Sequence, residues 1–339
     1  MHDGAAVGDT LVLVGESGIG FSDNNAEWRL VENQPFTKPV IGVASGLDFE
    51  GVPILIAIDT EKAFSTSRNG KDWTTAEKVE GDCDFSDISY YNRTFVVACS
   101  NGPVLRSAWN GGRLEFLEQE DGPEFTRGLT RIRGGNGKWV GVGGGGMIRE
   151  SVDASHFTPV ASPTAKNLYA ICHGKAKFAA GGEGGELIVT DENGDWKTGV
   201  KPFASTADIM ALAYIDAIGV FLVTNRDGGV AASDDLVTWS NLPSVTTAAI
   251  RAVVSGGNLI VLGDDLGEIA SSRKLMNLPW LSGNNSGNAK LVRIIGYDSA
   301  GMGIGQLVNK QGDATGDVLR DLVVLQPGTL KLESIKVQI

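Results

Sequence analysis

The stretch Ser233-Asp-Asp-Leu-Val-Thr-Trp239, SDDLVTW, follows a short strand-like run, VAAS, and places a hydroxyl six residues before a tryptophan. Related stretches recur along the chain: SDNNAEW at 22–28, SRNGKDW at 67–73, SVDASHF at 151–157 and TDENGDW at 190–196. The closing aromatics, Trp28, Trp73, Phe116, Phe157, Trp196, Trp239 and Trp280, stand 45, 43, 41, 39, 43 and 41 residues apart. The hydroxyl lies six residues earlier in five copies, at Ser22, Ser67, Ser151, Thr190 and Ser233. Two copies are stretched, with Ser107 nine residues before Phe116 and Ser272 eight before Trp280. A repeat of about 42 residues is the signature of a propeller or solenoid, in which each unit is one supersecondary piece.

One unit shows what that piece is. Residues 128–160 run GLTRIRGG, a turn at Asn136-Gly137, KWVGVGG, a glycine turn, GMIRES, a polar turn and FTPV. Residues 207–242 repeat the order as DIMALAY, GVFLVTN, VAAS and, after SDDLVT, WSNL. Four short strands bounded by turn residues, with no long segment of 3.6-residue period, predict a four-stranded antiparallel β-propeller blade. The fold class expected is therefore all-β, a seven-bladed β-propeller. The 46 glycines in 339 residues suit the many tight turns this requires.

The recurring motif falls between the third and fourth strands. Its hydroxyl and its acidic or amide side chain bond nearby backbone N–H groups, and its aromatic packs back between sheets. The motif resembles the Asp-box, or bacterial neuraminidase repeat, whose pattern is roughly Ser-x-Asp-x-Gly-x-Thr-Trp. SRNGKDW and TDENGDW keep the glycine, SDDLVTW keeps Thr238-Trp239, and SVDASHF ends in phenylalanine. The resemblance spans about residues 8–285. The loose consensus is similar to repeats of bacteriophage tail and other virion proteins, and to the photosystem II assembly factors.

Only a few residues precede the strand TLVLVG at 10–15, so the first unit lacks room for a full inner strand before it. A propeller must close, because an open edge strand templates aggregation. KLVRIIGYD at 290–298 resembles the inner strands TRIRGG and IRAVVSGG and is predicted to complete the first blade. The propeller then occupies 1–299, with the closing strand at about 289–298. Residues 300–339 form an extension with β-capable pieces MGIGQLVNK, DVLRDLVVLQ and TLKLESIKVQI, suited to docking or assembly.

A net charge of −12 and the lack of Lys/Arg runs argue against nucleic acid and anionic membranes as partners. No apolar run is long enough to span a bilayer, and no signal peptide is read at the start. Cys83, Cys99 and Cys172 lack metal-ligand spacing, and no disulfide is expected. Cys99 and Cys172 read as small buried hydrophobes made in a reducing compartment.

Catalysis finds little footing. His2, His156 and His173 are scattered, and GVGGGG at 141–146 lacks the helix and lysine of a phosphate loop. The resemblance to sialidase repeats implies an arginine clamp for a carboxylate, a tyrosine nucleophile with a glutamate partner, and an aspartate acid/base. Arginines are present, Arg93, Arg131, Arg149, Arg226 and Arg251 among them, yet none sits in a sialidase-type motif. The seven-fold count also differs from the six blades of that family. Tyr90-Tyr91 reads as a strand end before a hairpin turn.

One constellation is carried forward as a candidate ligand-binding face. The turns between second and third strands hold Glu16, Asp59, Glu61, Glu183, Asp227, Asp264 and Asp265, against Lys62 and Arg226. Folding would gather these carboxylates around one mouth of the channel, to bind a cation or meet a basic partner. No cofactor and no resident metal are expected.

The function expected is a non-enzymatic structural or binding component of a bacteriophage virion, made in the host cytoplasm. Its partners would be other virion proteins, through the C-terminal extension, and a host surface glycan or protein. The alternatives are a cellular assembly factor of the photosystem II type, and a carbohydrate-binding or sialidase-like hydrolase propeller.

Overall fold

A computed structural model describes residues 1–273 except 24–27, 103, 120–127, 243, 245 and 257–258. Beyond these it describes the strands Ala289–Tyr297, Met302–Asn309, Leu322–Gln326 and Thr329–Leu332. The first unit sets the pattern. Asp3–Val7, Thr10–Gly15, Gly18–Ser22 and Arg29–Leu30 pair antiparallel, each with its sequence neighbour. Five further four-stranded sheets follow the same order, with inner strands Val40–Leu47, Phe85–Tyr91, Leu129–Gly135, Leu168–Gly174 and Ile209–Ile215. Six four-stranded blades thus stand where the sequence period predicted seven. Between the sixth and the first lies a three-stranded sheet, Ile250–Gly256, Leu259–Asp264 and Ile269–Arg273. This seventh unit has lysine, Lys274, two residues after Ser272, where four of the other six copies carry Asn24, Asn69, Asp153 or Asp235. Its aromatic, Trp280, lies outside the described residues.

The core sits between the sheets. The second strand of a blade is covered on both faces, so TLVLVG and VFLVTN are buried along their whole length rather than alternating. Phe64 and Phe116 meet edge-on at 5.2 Å between blades 2 and 3. Neighbouring sheets share such clusters all the way round, including the last pair, where Leu11 and Leu13 pack on Ala252, Val254 and Val261.

Ring closure corrects the sequence reading. The inner strand of blade 1 is Asp3–Val7, in register from Asp3↔Val14 to Val7↔Thr10, and it packs between Ile250–Gly256 and Val40–Leu47. Five residues, DGAAV, suffice because the strand is short and nearly free of bulky side chains: a Cβ on Gly4 would lie 2.9 Å from Leu13 and 3.0 Å from Val254. Ala289–Tyr297, the expected closing strand, pairs with Met302–Asn309 instead. Together with Leu322–Gln326 and Thr329–Leu332 it forms a separate antiparallel sheet.

A second correction concerns the thiols. Cys83 and Cys99 form a disulfide between Cα atoms 5.2 Å apart, joining the segment two residues before the first strand of blade 3 to the end of its second strand. Cys172 is free and buried, and burial pushes its thiol up to about 12. Only one thiol is thus left to carry the argument for a reducing compartment.

Candidate functional site

The turn motif does what its residue types dictate. In blade 2 the Ser67 hydroxyl accepts from Gly70 N at 2.9 Å, and Asn69 Oδ1 accepts from the backbone N–H groups of Lys71 and Asp72, both at 2.9 Å. Trp73 Nε1 donates back to Gly70 O at 3.0 Å. In blade 4 Asp153 Oδ1 accepts from Ser155 N and His156 N at 2.8 and 3.0 Å. These bonds, the one from Ser155 foremost, hold its carboxyl far below the usual range. In blade 6 Ser233 Oγ accepts from Leu236 N at 2.8 Å, and Asp235 Oδ1 from Val237 and Thr238 at 2.7 Å. The residue after the Asp or Asn is left-handed in each: Gly70 at φ 76°, Ala154 at 62° and Leu236 at 66°.

Two copies use the hydroxyl differently. Ser107 accepts from Phe95 N and Thr190 from Phe178 N, both at 2.9 Å, so they tie the third strand to the second. Asp191 takes over the turn in blade 5, accepting from Asn193 and Asp195 at 2.9 and 3.0 Å. Ser22 is buried at the end of its strand, and Phe116, Phe157 and Trp196 are buried between sheets, as the staple role requires. Trp28 and Trp239 are partly buried and pack on the blade cores. Ser272 lies within Ile269–Arg273.

The residues expected on the acidic face make mostly local contacts. Asp59 and Asp264 are buried and hold their own turns: Asp59 Oδ1 accepts from Glu61 and Ala63, and Asp264 Oδ1 from Leu266 and Glu268, at 2.8–2.9 Å. Asn225 performs the same task in blade 6, accepting from Asp227 and Gly229. Glu61 pairs with Lys38 and Lys78, Asp265 with Arg251, and Glu16 with His2. Glu183 accepts from Asn167, Lys62 pairs with Asp84, and Arg226 with Asp208. Asp227 is exposed on its turn. No three His, Cys, Asp or Glu among the described residues are placed to hold a metal ion.

What converges instead lies inside the ring. A cavity of about 30 Å³ is lined by Asp3, Arg131, Arg133, Met210 and Arg251, all from inner strands. Asp87 Oδ2 accepts from Arg133 at 2.6 Å and from Ile132 N at 2.8 Å, and Asp3 Oδ2 accepts from Val43 N at 3.1 Å. Each carboxylate therefore ties its own inner strand to another. Arg131 donates to Ser86 O at 3.0 Å, and Arg251 to Asp265 at 2.6 Å. Burial alone would lower the Arg133 guanidinium, but the Asp87 and Asp3 charges outweigh it and raise it. The inner strands of blades 2 to 6 and of the three-stranded sheet carry a register slip near their first residues, as at Leu129/Arg131 and Ile250/Ala252. Such bulges re-aim side chains. Of the charged residues inside the ring, the sequence reading singled out Arg131 and Arg251 without placing them together. Arg133, Asp87 and Asp3 went unnoticed, although an aspartate amid the apolar FSDISYY was a signal that could have found one.

Burial, with the Asp87 charge second, raises the Asp3 carboxyl from its ordinary 3.8 to about 6. The folded protein then holds this proton more tightly than the unfolded chain. The ionised group costs stability above pH 6, and the cost fades as pH falls from 6 towards 4. Asp3→Asn keeps an acceptor for Val43. It is expected to raise the melting temperature at pH 7.5, leave it nearly unchanged at pH 4, and flatten the profile between. A lower melting temperature at pH 7.5 refutes this.

Tyr91 Oη accepts from Gly137 N at 2.8 Å in the Asn136-Gly137 hairpin, and Tyr90 stacks on Phe95 at 4.6 Å. Among the described residues, no helix is long and apolar enough to cross a membrane.

No protein-family model matches the chain, and no curated protein matches it. Solved structures do. U3-55K matches with a TM-score of 0.59 at 11% identity, over 79% of this chain and 87% of that one. The WD40 repeats of RRP9 give 0.59 at 11%, over 79% and 86%. The computationally designed protein Ika8 gives 0.55 at 15%, over 98% and 95%. At such identities the likeness speaks for architecture alone, and with the sheet order above it makes the chain a β-propeller of four-stranded antiparallel blades.

Proposed function

We propose that this protein is a non-catalytic binding and assembly platform. Its blades hold turns in fixed positions, and its C-terminal sheet docks onto a partner. The observation that carries the reading is the separate antiparallel sheet of residues 289–332, which the ring does not need for closure. Of the carboxylates expected to bind a ligand, Asp59 and Asp264 hold turns, and Glu16, Glu61 and Asp265 pair with nearby side chains. Rigid rings with variable turns serve as display surfaces.

The setting we propose is a bacteriophage particle, as a tail or capsid-surface component, on the strength of the Asp-box-like repeat. Light scattering on a sizing column tests the platform. The full chain is expected to assemble, while a form ending at residue 288 is a folded monomer. Two monomers of equal compactness would remove the docking role. Mass spectrometry of particles from a lysate of the host carrying the gene tests the setting.

One observation favours a second reading. Three guanidiniums, from Arg131, Arg133 and Arg251, line one cavity, as a site for an acidic sugar would require. All three are already paired with carboxylates, Arg131 and Arg133 with Asp87 and Arg251 with Asp265, and the cavity is far below ligand size.

A further inference from the structure

A groove of about 450 Å³ runs between blades 2 and 3, within the size range of about 300–1,000 Å³ common to ligand pockets. Its apolar side is built by Trp109, half-buried on the third strand of blade 3 and backed by Phe49 at 5.5 Å with the rings tilted by 46°. Phe49 reaches over from a hairpin of blade 2 and is itself 48% exposed. The Trp109 indole N–H makes no hydrogen bond within the described protein. Trp109 thus lines the groove with an aromatic side chain whose donor is unengaged.

The opposite side is polar. Arg113 spans the gap between the blades to Glu77 at 2.7 Å, and only one of its five N–H groups is used in doing so. Arg68, bonded to Asp48 at 2.7 Å, and Asp72, accepting from Asn69 at 2.9 Å, stand on the same rim with Thr66. The lining carries two positive and two negative side chains, so it has no net charge, in a molecule whose sum is −12. A free anion is disfavoured by the whole-molecule field, and a cation finds no local surplus to hold it. Alternating donors and acceptors beside an aromatic face suit a ligand that is uncharged, rich in hydroxyls and apolar on one side.

We propose that this groove binds a neutral saccharide, with one ring face on Trp109 and its hydroxyls held by Arg113, Glu77 and Asp72. The site lies away from the arginine-lined cavity, on the outer part of the ring. The proposal deepens the platform reading by naming what one surface engages. Sugar binding and assembly in solution are separate measurements, so either can fail alone.

The test is a microarray of glucose-, galactose- and mannose-terminated neutral oligosaccharides beside sialylated ones, probed with the labelled full chain. Trp109→Ala and Arg113→Ala are run in parallel, each checked by thermal melting. Neutral glycans are expected to bind, and each variant to weaken binding by about tenfold or more, the scale set by losing an aromatic contact or a charged hydrogen bond. Should Trp109→Ala fail to fold, Arg113→Ala decides, since its side chain is 69% exposed and its loss spares the core. Absence of neutral binding, binding that survives in both folded variants, or binding confined to sialylated glycans overturns the proposal.

Discussion

Asp87→Ala is expected to destabilise the protein by about 3 kcal/mol and lower its melting temperature by roughly 4–5 °C. Asp87 is 1% exposed and accepts two hydrogen bonds from blade 4, from Ile132 N and from the Arg133 guanidinium. Removing it leaves a backbone N–H without its acceptor and a charge without its nearest partner. A fully buried orphan charge costs about 3–5 kcal/mol. Arg133 keeps 30% of its side-chain exposure, and Asp3 remains close, so the lower end applies. Asp87→Asn retains an acceptor and should cost less. The double variant Asp87→Leu/Arg133→Met should lose less than the two single changes added, because neither charge is then stranded. Chemical denaturation gives all of these values, and a change below about 1 kcal/mol for Asp87→Ala would mean that the pair does not tie the inner strands.

Deleting residues 1–7 is expected to do more, turning a cooperatively melting protein into an insoluble or molten one. The deletion removes the inner strand of blade 1 and leaves Thr10–Gly15 as an open edge. It also strips cover from Leu11 and Leu13 and from Ala252 and Val254 on the neighbouring sheet, all buried in the intact ring. A chain ending at residue 288 loses none of these contacts and should melt within a few degrees of the full protein. The reverse outcome, with the N-terminal deletion harmless and the C-terminal one ruinous, would restore ring closure by residues 289–298. Both are read from solubility and scanning calorimetry.

Much of the architecture was legible because a blade is a local object. Its strands join through turns of a few residues, and each turn announces itself: Asn136-Gly137 by its left-handed pair, Ser233 and Asp235 by side chains that replace missing backbone partners. The aromatics that end the described motifs show the period because they pack on the blade cores, Phe116, Phe157 and Trp196 fully and Trp28, Trp73 and Trp239 in part. Ring closure was harder to read. It depended on whether DGAAV or KLVRIIGYD completes blade 1, and the longer, more strand-like segment was the wrong choice. Propensity ranks segments one at a time, whereas closure selects the strand small enough to fit between Leu13 and Val254.

The candidate sites divide along the same line. Asp59 and Asp264 were recognisable as turn residues, but their burial and bonding appear only once the turn is closed around them. The blade-2 and blade-3 groove brings Trp109 beside Phe49, 60 positions away in the chain, and Arg113 beside Glu77. Asp3, Asp87 and Arg133 meet because a ring brings inner strands together around one axis. The sequence by itself determined the repeat, the strand order within a blade and the turn chemistry, since these rest on contacts between near neighbours. The tertiary structure alone decided how the ring closes, which charges are buried together and which side chains share a groove, because those depend on packing between segments that no local pattern relates.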